Sequence, residues 1–87
     1  MYIRASYNND RDFWGKVSTL HNKLFDYLGL DAEYDKYARE DAMFGIFDDI
    51  KAGKSVRDAF DSSFDVVYEC EIPDDLFNKY YKEIFEL

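Results

Sequence analysis

Two side chains in this sequence are of the types that enzymes use for nucleophilic and acid–base chemistry. Cys70 is the single cysteine and His21 the single histidine, and they fall on different predicted elements. Because a thiol nucleophile needs an adjacent base, such a pair would depend on tertiary folding bringing the two together. One thiol and one imidazole are also too few for a zinc site, and the four glycines are too scattered for a phosphate-binding loop. We expect Cys70 to be a small buried hydrophobe and His21 to lie at a helix surface or boundary, so the sequence predicts no catalytic residue, no metal site and no cofactor.

Carboxylates are the abundant reactive group, and they are concentrated in two stretches. The first stretch is predicted to lie on a helix, where side chains three or four positions apart are about 5–6 Å from one another. A ladder of that spacing can imitate part of a nucleic-acid backbone, whose phosphates are separated by about 3.4 Å of axial rise along one strand. The alternative is a set of ordinary solvated charges with weak local ion pairs. The predicted partner-binding residues are Asp31, Glu33, Asp35, Glu40, Asp41, Asp48 and Asp49 in the first stretch, Glu69, Glu71, Asp74 and Asp75 in the second, and Tyr34 as an aromatic anchor.

The net charge of −8 is unevenly distributed along the chain. Residues 1–30 carry a net charge of +1, and residues 31–87 carry −9. A field of this sign repels phosphate backbones and anionic lipid headgroups, and it attracts basic surfaces with association rates that depend on salt. We therefore predict a basic protein partner, such as a nuclease or a nucleic-acid-binding complex, and no direct binding of nucleic acid or membrane. The sequence leaves the oligomeric state open.

The elements are predicted from hydrophobic periodicity and from the breaks at Gly29, Gly53 and Pro73. Apolar side chains that recur every three or four residues predict helices, whereas strict alternation over 66–72 predicts a half-buried strand. We expect one α+β domain over 1–87, mostly helical, with the order β-α-α-α-β-α and a two-stranded ribbon packed on helices. The predicted elements are a strand at 2–7, helices at 12–28 and 31–52, a short helix capped by Ser55, the strand at 66–72 and a helix after Pro73. Asp31 is the predicted cap of the second helix, and Gly45 is expected to weaken it.

Several features favour a cytoplasmic location. The N-terminus lacks the basic start and apolar run of a signal peptide, and no stretch approaches the length of a membrane span. A single cysteine allows no intramolecular disulfide, which suits a reducing compartment. We expect the protein in the cytoplasm, and in that of the host cell if a phage encodes it.

The sequence contains, in order, Tyr2-Ile3, Tyr7-Asn8-Asn9 and the run Glu-Tyr-Asp-Lys-Tyr-Ala-Arg-Glu-Asp at 33–41. This combination resembles ArdA-type antirestriction proteins, which implies an acidic DNA mimic that blocks a restriction enzyme. The chain departs from that pattern at Trp14-Gly15, where the family has glycine first, and at Ala42-Met43, where it has an aromatic residue and an acid. In size, acidity and lack of predicted catalytic residues, the chain is also similar to phage-encoded anti-CRISPR inhibitors.

The leading hypothesis is a non-enzymatic acidic inhibitor that binds a basic nucleic-acid-binding surface of a bacterial defence nuclease by DNA mimicry. The alternative is an antitoxin-like or adaptor module that binds through an apolar patch including Phe77, Tyr81 and Phe85. An enzyme is the third hypothesis, and loss of turnover on substitution of Cys70 or His21 would support it. The salt dependence of binding distinguishes the inhibitor from the apolar-patch module, because screening weakens charge-driven binding far more than apolar binding.

Overall fold

The structure, a computed structural model, describes residues 11–86, and the regular structure in this part of the chain is entirely helical. The elements, in chain order, are α1 (Arg11–Tyr27), a 3-10 turn (Leu30–Ala32), α2 (Lys36–Lys51), α3 (Val56–Tyr68) and α4 (Asp74–Phe85). The predicted strand at 2–7 lies outside the described residues. Over 11–86 the fold resembles a four-helix bundle without strands, so the predicted α+β class with its β-ribbon is wrong.

Capping side chains and a left-handed glycine determine where the helices begin and end. Ser55 caps α3 as predicted, because its hydroxyl accepts a 3.1 Å hydrogen bond from the backbone N–H three residues later. Gly29 follows α1 with φ of 74°, a left-handed conformation that glycine adopts without steric cost. Asp31 does not cap α2 but lies inside the 3-10 turn. The cap of α2 is Asp35, whose carboxylate accepts from two backbone N–H groups of the first turn.

The described helices pack mainly in two pairs, α2 on α3 and α1 on α4, around one hydrophobic core. Phe60 and Phe64 of α3 are fully buried in this core. Small residues let α2 come close to α3, and the Ser63 hydroxyl donates a buried 2.7 Å hydrogen bond to the Ala42 carbonyl. Gly45 lies within the unbroken α2, at a position where a Cβ would be 3.4 Å from the Ser63 Oγ. A contact of that length is ordinary van der Waals packing, and α2 continues unbroken through a glycine that was expected to weaken it.

The predicted strand at 66–72 is absent because α3 continues to Tyr68. Phe60, Phe64 and Tyr68 are each one helical turn apart, and all three are buried. The rings of Phe64 and Tyr68 make an edge contact with centroids 4.9 Å apart. Glu69 then adopts a left-handed conformation with φ of 51°, and the chain runs without regular structure to α4. Burial of this aromatic side of α3 outweighs the strand propensity of the two valines in its last turn.

Val66 provides a test of whether this segment is helical or a strand, because its side chain is 74% exposed in the last turn of α3. Replacing Val66 by Ala should raise the free energy of unfolding by about 0.5 kcal/mol, since alanine favours a helix and little packing is lost. In a strand, the same substitution would lower the free energy of unfolding, because alanine is a poor strand former. Urea denaturation of the two proteins measures the sign. A less stable Val66→Ala variant would contradict the helical assignment.

Candidate partner-binding surface

The outward side of α2 carries aromatic and acidic side chains in alternation. Tyr37, Asp41, Phe44 and Asp48 are spaced at i, i+4, i+7 and i+11, which places them along one stripe of the helix. All four are exposed, and the exposed fractions of the two rings are 66% for Tyr37 and 61% for Phe44. Glu40, also exposed, precedes Phe44 by about one turn. We call these five residues the α2 face.

The α2 face points outward because the other sides of α2 are used in packing. The buried residues of α2, which packs on α3, are Ala42, Ile46 and Ile50. Phe47 lies toward α1, and its ring centroid is 5.1 Å from that of Trp14. The two exposed rings of the α2 face could reach the core only if α2 rotated and brought the buried isoleucines to the surface.

Two of the three basic residues of α2 lie toward α1. The Arg39 guanidinium is 5.7 Å from the centre of the Phe25 ring, and the Lys51 ammonium is 5.8 Å from that of Trp14. Attraction between a cation and the face of an aromatic ring favours both positions. Lys36 stays beside the α2 face, 5.4 Å from the Tyr37 ring. The three carboxylates of the α2 face therefore retain an excess of negative charge.

A shallow pocket of about 390 Å³ borders the α2 face on the side of α1. It is lined by Asn22, Arg39, Glu40, Met43, Phe44 and Phe47. Half of these side chains are apolar and half are polar or charged. Apolar surface next to polar groups that can fix orientation is characteristic of sites that receive a partner's side chain.

Three of the predicted partner-binding carboxylates have local structural contacts. Asp35 caps α2, Asp49 lies 3.4 Å from the Lys54 ammonium, and Asp74 lies 2.9 Å from the Arg57 guanidinium. Five other predicted carboxylates lie away from the α2 face. They are Asp31 and Glu33 at the 3-10 turn, Glu69 and Glu71 between α3 and α4, and Asp75 in the first turn of α4. Glu40, Asp41 and Asp48 are the predicted carboxylates that the structure places together with exposed aromatic rings.

Tyr34, the predicted aromatic anchor, is half-buried. Its ring packs on Tyr68 with centroids 5.1 Å apart, and its hydroxyl donates a 3.0 Å hydrogen bond to the Tyr68 carbonyl. Tyr37 and Phe44 are the large aromatic side chains that α2 exposes instead. Apolar residues surround α2 on more than one side, so the sequence alone could not show which of its rings would face solvent.

A second acidic surface is the groove between α3 and the start of α4, with a volume of about 680 Å³. We call it the α3–α4 groove, and its charged lining residues are Arg57, Asp58, Asp61, Asp65, Glu71 and Asp74. Asp58, Asp61 and Asp65 were not predicted as site residues. Their spacing at i, i+3 and i+7 puts them on one side of α3. This spacing is visible in the sequence, but the predicted partner-binding carboxylates lie only in the two stretches on either side of this helix.

Arg57 lies in the α3–α4 groove and ties α3 to the start of α4. Its guanidinium pairs with Asp61 at 3.0 Å and with Asp74 at 2.9 Å, and it donates a 2.9 Å hydrogen bond to the Ile72 carbonyl. It also lies 4.7 Å from the centre of the Phe77 ring. Two carboxylates of the groove are therefore paired with the protein's own arginine. Three carboxylates of the groove have no cation partner among residues 11–86, the same number as on the α2 face, but no aromatic ring lines the groove. The α2 face, which adds two exposed rings, is therefore the better candidate.

Replacing Arg57 by Lys should lower the free energy of unfolding by about 1–2 kcal/mol. Lysine keeps the charge but lacks the planar fork that reaches two carboxylates and a carbonyl at once. Urea denaturation measures the change, with Arg39→Lys as the matched control because Arg39 is exposed and has no carboxylate partner among residues 11–86. Equal effects of the two substitutions would contradict a fastening role for Arg57.

His21 is fully buried, and the expectation that it lies at a helix surface or boundary is wrong. Its Nδ1 is 3.1 Å from the Asn22 Oδ1, and its Nε2 is 2.8 Å from the Tyr68 hydroxyl. A neutral imidazole satisfies both contacts, because Nδ1–H donates to Asn22 and Nε2 accepts from Tyr68. Burial is the main cause that lowers the pKa of His21, and burial also raises the pKa of the Tyr68 hydroxyl. Packed against the rings of Phe25 and Phe64, His21 is a structural residue of the core.

Cys70 follows the end of α3 and is half-buried at the edge of the α3–α4 groove. Burial, together with the nearby charges of Glu33 and Glu71, raises the pKa of its thiol. The thiol is therefore mostly protonated at neutral pH, and a protonated thiol is a poor nucleophile.

The buried imidazole of His21 should make stability depend on pH. Folding lowers the pKa of His21 below its ordinary value of 6.5, so the unfolded chain binds this proton more tightly than the folded chain. The contribution is fully present above pH 6.5 and is lost as pH falls below it, with a slope of up to about 1.4 kcal/mol per pH unit. Denaturation at a series of pH values measures the slope. In His21→Gln, which carries no titrating ring, the slope just below pH 6.5 should be smaller, and an unchanged slope would contradict this account.

Comparisons of the chain with protein-family models, curated proteins and solved structures found no match. Within residues 11–86, none of the helices is long and apolar enough to cross a bilayer. The same residues contain no group of three or more His, Cys, Asp or Glu side chains placed to hold a metal ion. Function is therefore inferred from the α2 face and the α3–α4 groove themselves.

Proposed function

We propose that this protein is a non-enzymatic acidic inhibitor that covers a basic nucleic-acid-binding surface of a bacterial defence nuclease, in the manner of antirestriction or anti-CRISPR proteins that mimic DNA. The observation that carries the proposal is the α2 face, where three carboxylates and two exposed aromatic rings lie on one side of a helix. Such an inhibitor acts in the cytoplasm of the host cell, where the nuclease meets its nucleic acid.

Charge and contact area contribute at different stages of binding. The net charge of −8 attracts a basic groove over a distance and raises the association rate at low salt. On contact, carboxylates whose Cβ atoms are about 5–6 Å apart take the place of backbone phosphates. Tyr37 and Phe44 add apolar contact area at the centre of the surface, and this contribution is not screened by salt. The bound inhibitor excludes nucleic acid, because the inhibitor and the nucleic acid would occupy the same groove of the nuclease.

An adaptor or antitoxin-like module that binds through apolar contacts is the second candidate. The patch expected for it is largely packed, since Phe77 is 4% exposed and the half-buried rings of Tyr81 and Phe85 stack with centroids 4.6 Å apart. Exposed apolar surface is found instead at Phe44 and the pocket beside it. A partner bound through this surface would remain bound at high salt.

Affinity capture followed by competition separates the two candidates. The full chain is immobilised, exposed to bacterial lysate at low salt and eluted with rising salt, and each eluted protein is identified by mass spectrometry. Each is then assayed for binding to duplex DNA or RNA with and without the acidic protein. The proposal predicts a basic protein that elutes with salt and loses its nucleic acid when the acidic protein is added. A salt-resistant partner that keeps its nucleic acid would contradict the proposal and support the adaptor.

Neutralising the α2 face should slow association with that partner. The triple variant Glu40→Gln, Asp41→Asn, Asp48→Asn is expected to reduce the association rate constant on the order of tenfold at low salt and to weaken its salt dependence. Stopped-flow or surface plasmon resonance across a salt series measures both. The matched control is Asp58→Asn, Asp65→Asn, Glu71→Gln, which removes the same charge from the α3–α4 groove.

The proposal predicts a clearly smaller effect for the groove variant, because its carboxylates lie away from the α2 face. Equal effects of the two variants would show that only net charge matters, and an unchanged rate in the α2 variant would rule out this surface. All six substituted side chains are exposed, so both variants are expected to fold normally.

A further inference from the structure

We propose that the α2 face is a receptor for an arginine side chain of the basic partner, with the guanidinium stacked on the Phe44 ring and held by neighbouring carboxylates. The inference rests on the proposed function, because it names the chemistry by which the partner is recognised at that surface. It is carried by two observations, an arginine contact inside this protein and an exposed aromatic ring that no cation of residues 11–86 covers.

The internal contact is that of Arg57. Its guanidinium lies over the Phe77 ring, 4.7 Å from the centroid, and pairs with Asp61 at 3.0 Å and Asp74 at 2.9 Å. An aromatic face with two carboxylates beside it therefore binds a guanidinium in this fold. Each part contributes, since the ring attracts the cation and the carboxylates accept hydrogen bonds from its fixed fork of N–H groups.

Phe44 presents the same combination, but no guanidinium of residues 11–86 lies over its ring. Every other Phe, Tyr and Trp of residues 11–86 contacts another ring or a cation, whereas Phe44 contacts neither and is 61% exposed. Glu40 and Asp48 lie four residues before and after it, and Asp41 lies three residues before it, so all three are neighbours on the helix surface. None of these carboxylates is paired with a cation of the described residues.

Arginine fits this surface better than lysine does. Its planar group can stack on a ring and donate two parallel hydrogen bonds to a carboxylate at the same time, whereas an ammonium is a compact and strongly hydrated charge. Arginine is also enriched at the energetic centres of protein interfaces and in proteins that bind phosphates. A basic nucleic-acid-binding groove therefore supplies the side chain that this face is built to receive.

The surface charge argues against two other occupants. A second copy of this chain would bring two sets of three carboxylates together, and the repulsion between them would oppose a dimer through this face. Nucleic acid would bring phosphates against the same carboxylates. A cationic protein surface is the occupant that satisfies both the charge and the exposed ring.

The test compares two peptides of equal charge, N-acetylated hexa-arginine amide and hexa-lysine amide, by isothermal titration calorimetry with the full chain. We expect hexa-arginine to bind about five times more tightly, the ratio that a stacking contribution of about 1 kcal/mol gives. In Phe44→Leu, which removes the ring but keeps an apolar side chain, the ratio should fall to about one, with little change for hexa-lysine. The matched control is Tyr27→Leu, since Tyr27 is 65% exposed on α1 and should leave the ratio unchanged.

Equal affinity of the unaltered chain for both peptides would overturn the inference. So would a preference for arginine that survives in Phe44→Leu, or amide chemical-shift changes from hexa-arginine that map to the α3–α4 groove and not to 37–48. These results are distinguishable from failure of the proposed function. If the captured partner still releases nucleic acid but the arginine preference is absent, this inference alone fails. If the preference is present but the partner binds no nucleic acid, the proposed function alone fails.

Discussion

The packing of α2 against α3 determines which side chains of this protein meet solvent. Phe60 and Phe64 are fully buried, and each contributes about 1.5–3 kcal/mol through removal of its side chain from water. Their burial requires α2 to come close, which the small residues at the contact and the hydrogen bond from Ser63 to the Ala42 carbonyl make possible. Once that side of α2 is committed to α3, Phe44 and the carboxylates around it must face outward. The candidate binding surface is thus a consequence of how the core is packed.

Packing also gives the carboxylates different roles, since some stabilise the fold and others remain exposed without a local partner. Asp35 caps a helix and Asp74 pairs with Arg57, whereas Asp41 and Asp48 have no cation partner among residues 11–86. A net charge of −8 opposes compaction through mutual repulsion, and within residues 11–86 only a few carboxylates form ion pairs or helix caps. Under the proposed function, this unpaired excess is what attracts a basic partner.

The sequence predicted the parts of this fold that depend on local chemistry. The cap at Ser55, the break at Gly29 after α1 and the helix start after Pro73 were correct, because each follows from a single residue's conformational or hydrogen-bonding preference. The strand at 66–72 was wrong because its alternating pattern overlaps the last turn of a helix whose period continues from Phe60. The composition of the acidic surface was predictable, but the exposure of Phe44 was not. That exposure depends on the rotation of α2 about its axis, and apolar residues on several sides of α2 leave its rotation undetermined by sequence.

Hydroxyl-radical footprinting of the protein with its captured partner tests most directly whether the α2 face is the binding surface. Tyr37, Phe44 and Tyr27 are exposed to similar extents in the free protein, so all three should be oxidised readily before the partner is added. We predict that the partner protects Tyr37 and Phe44 while Tyr27 on α1 stays reactive. Protection of Tyr27 with continued oxidation of Tyr37 and Phe44 would place the partner on another surface and contradict the account.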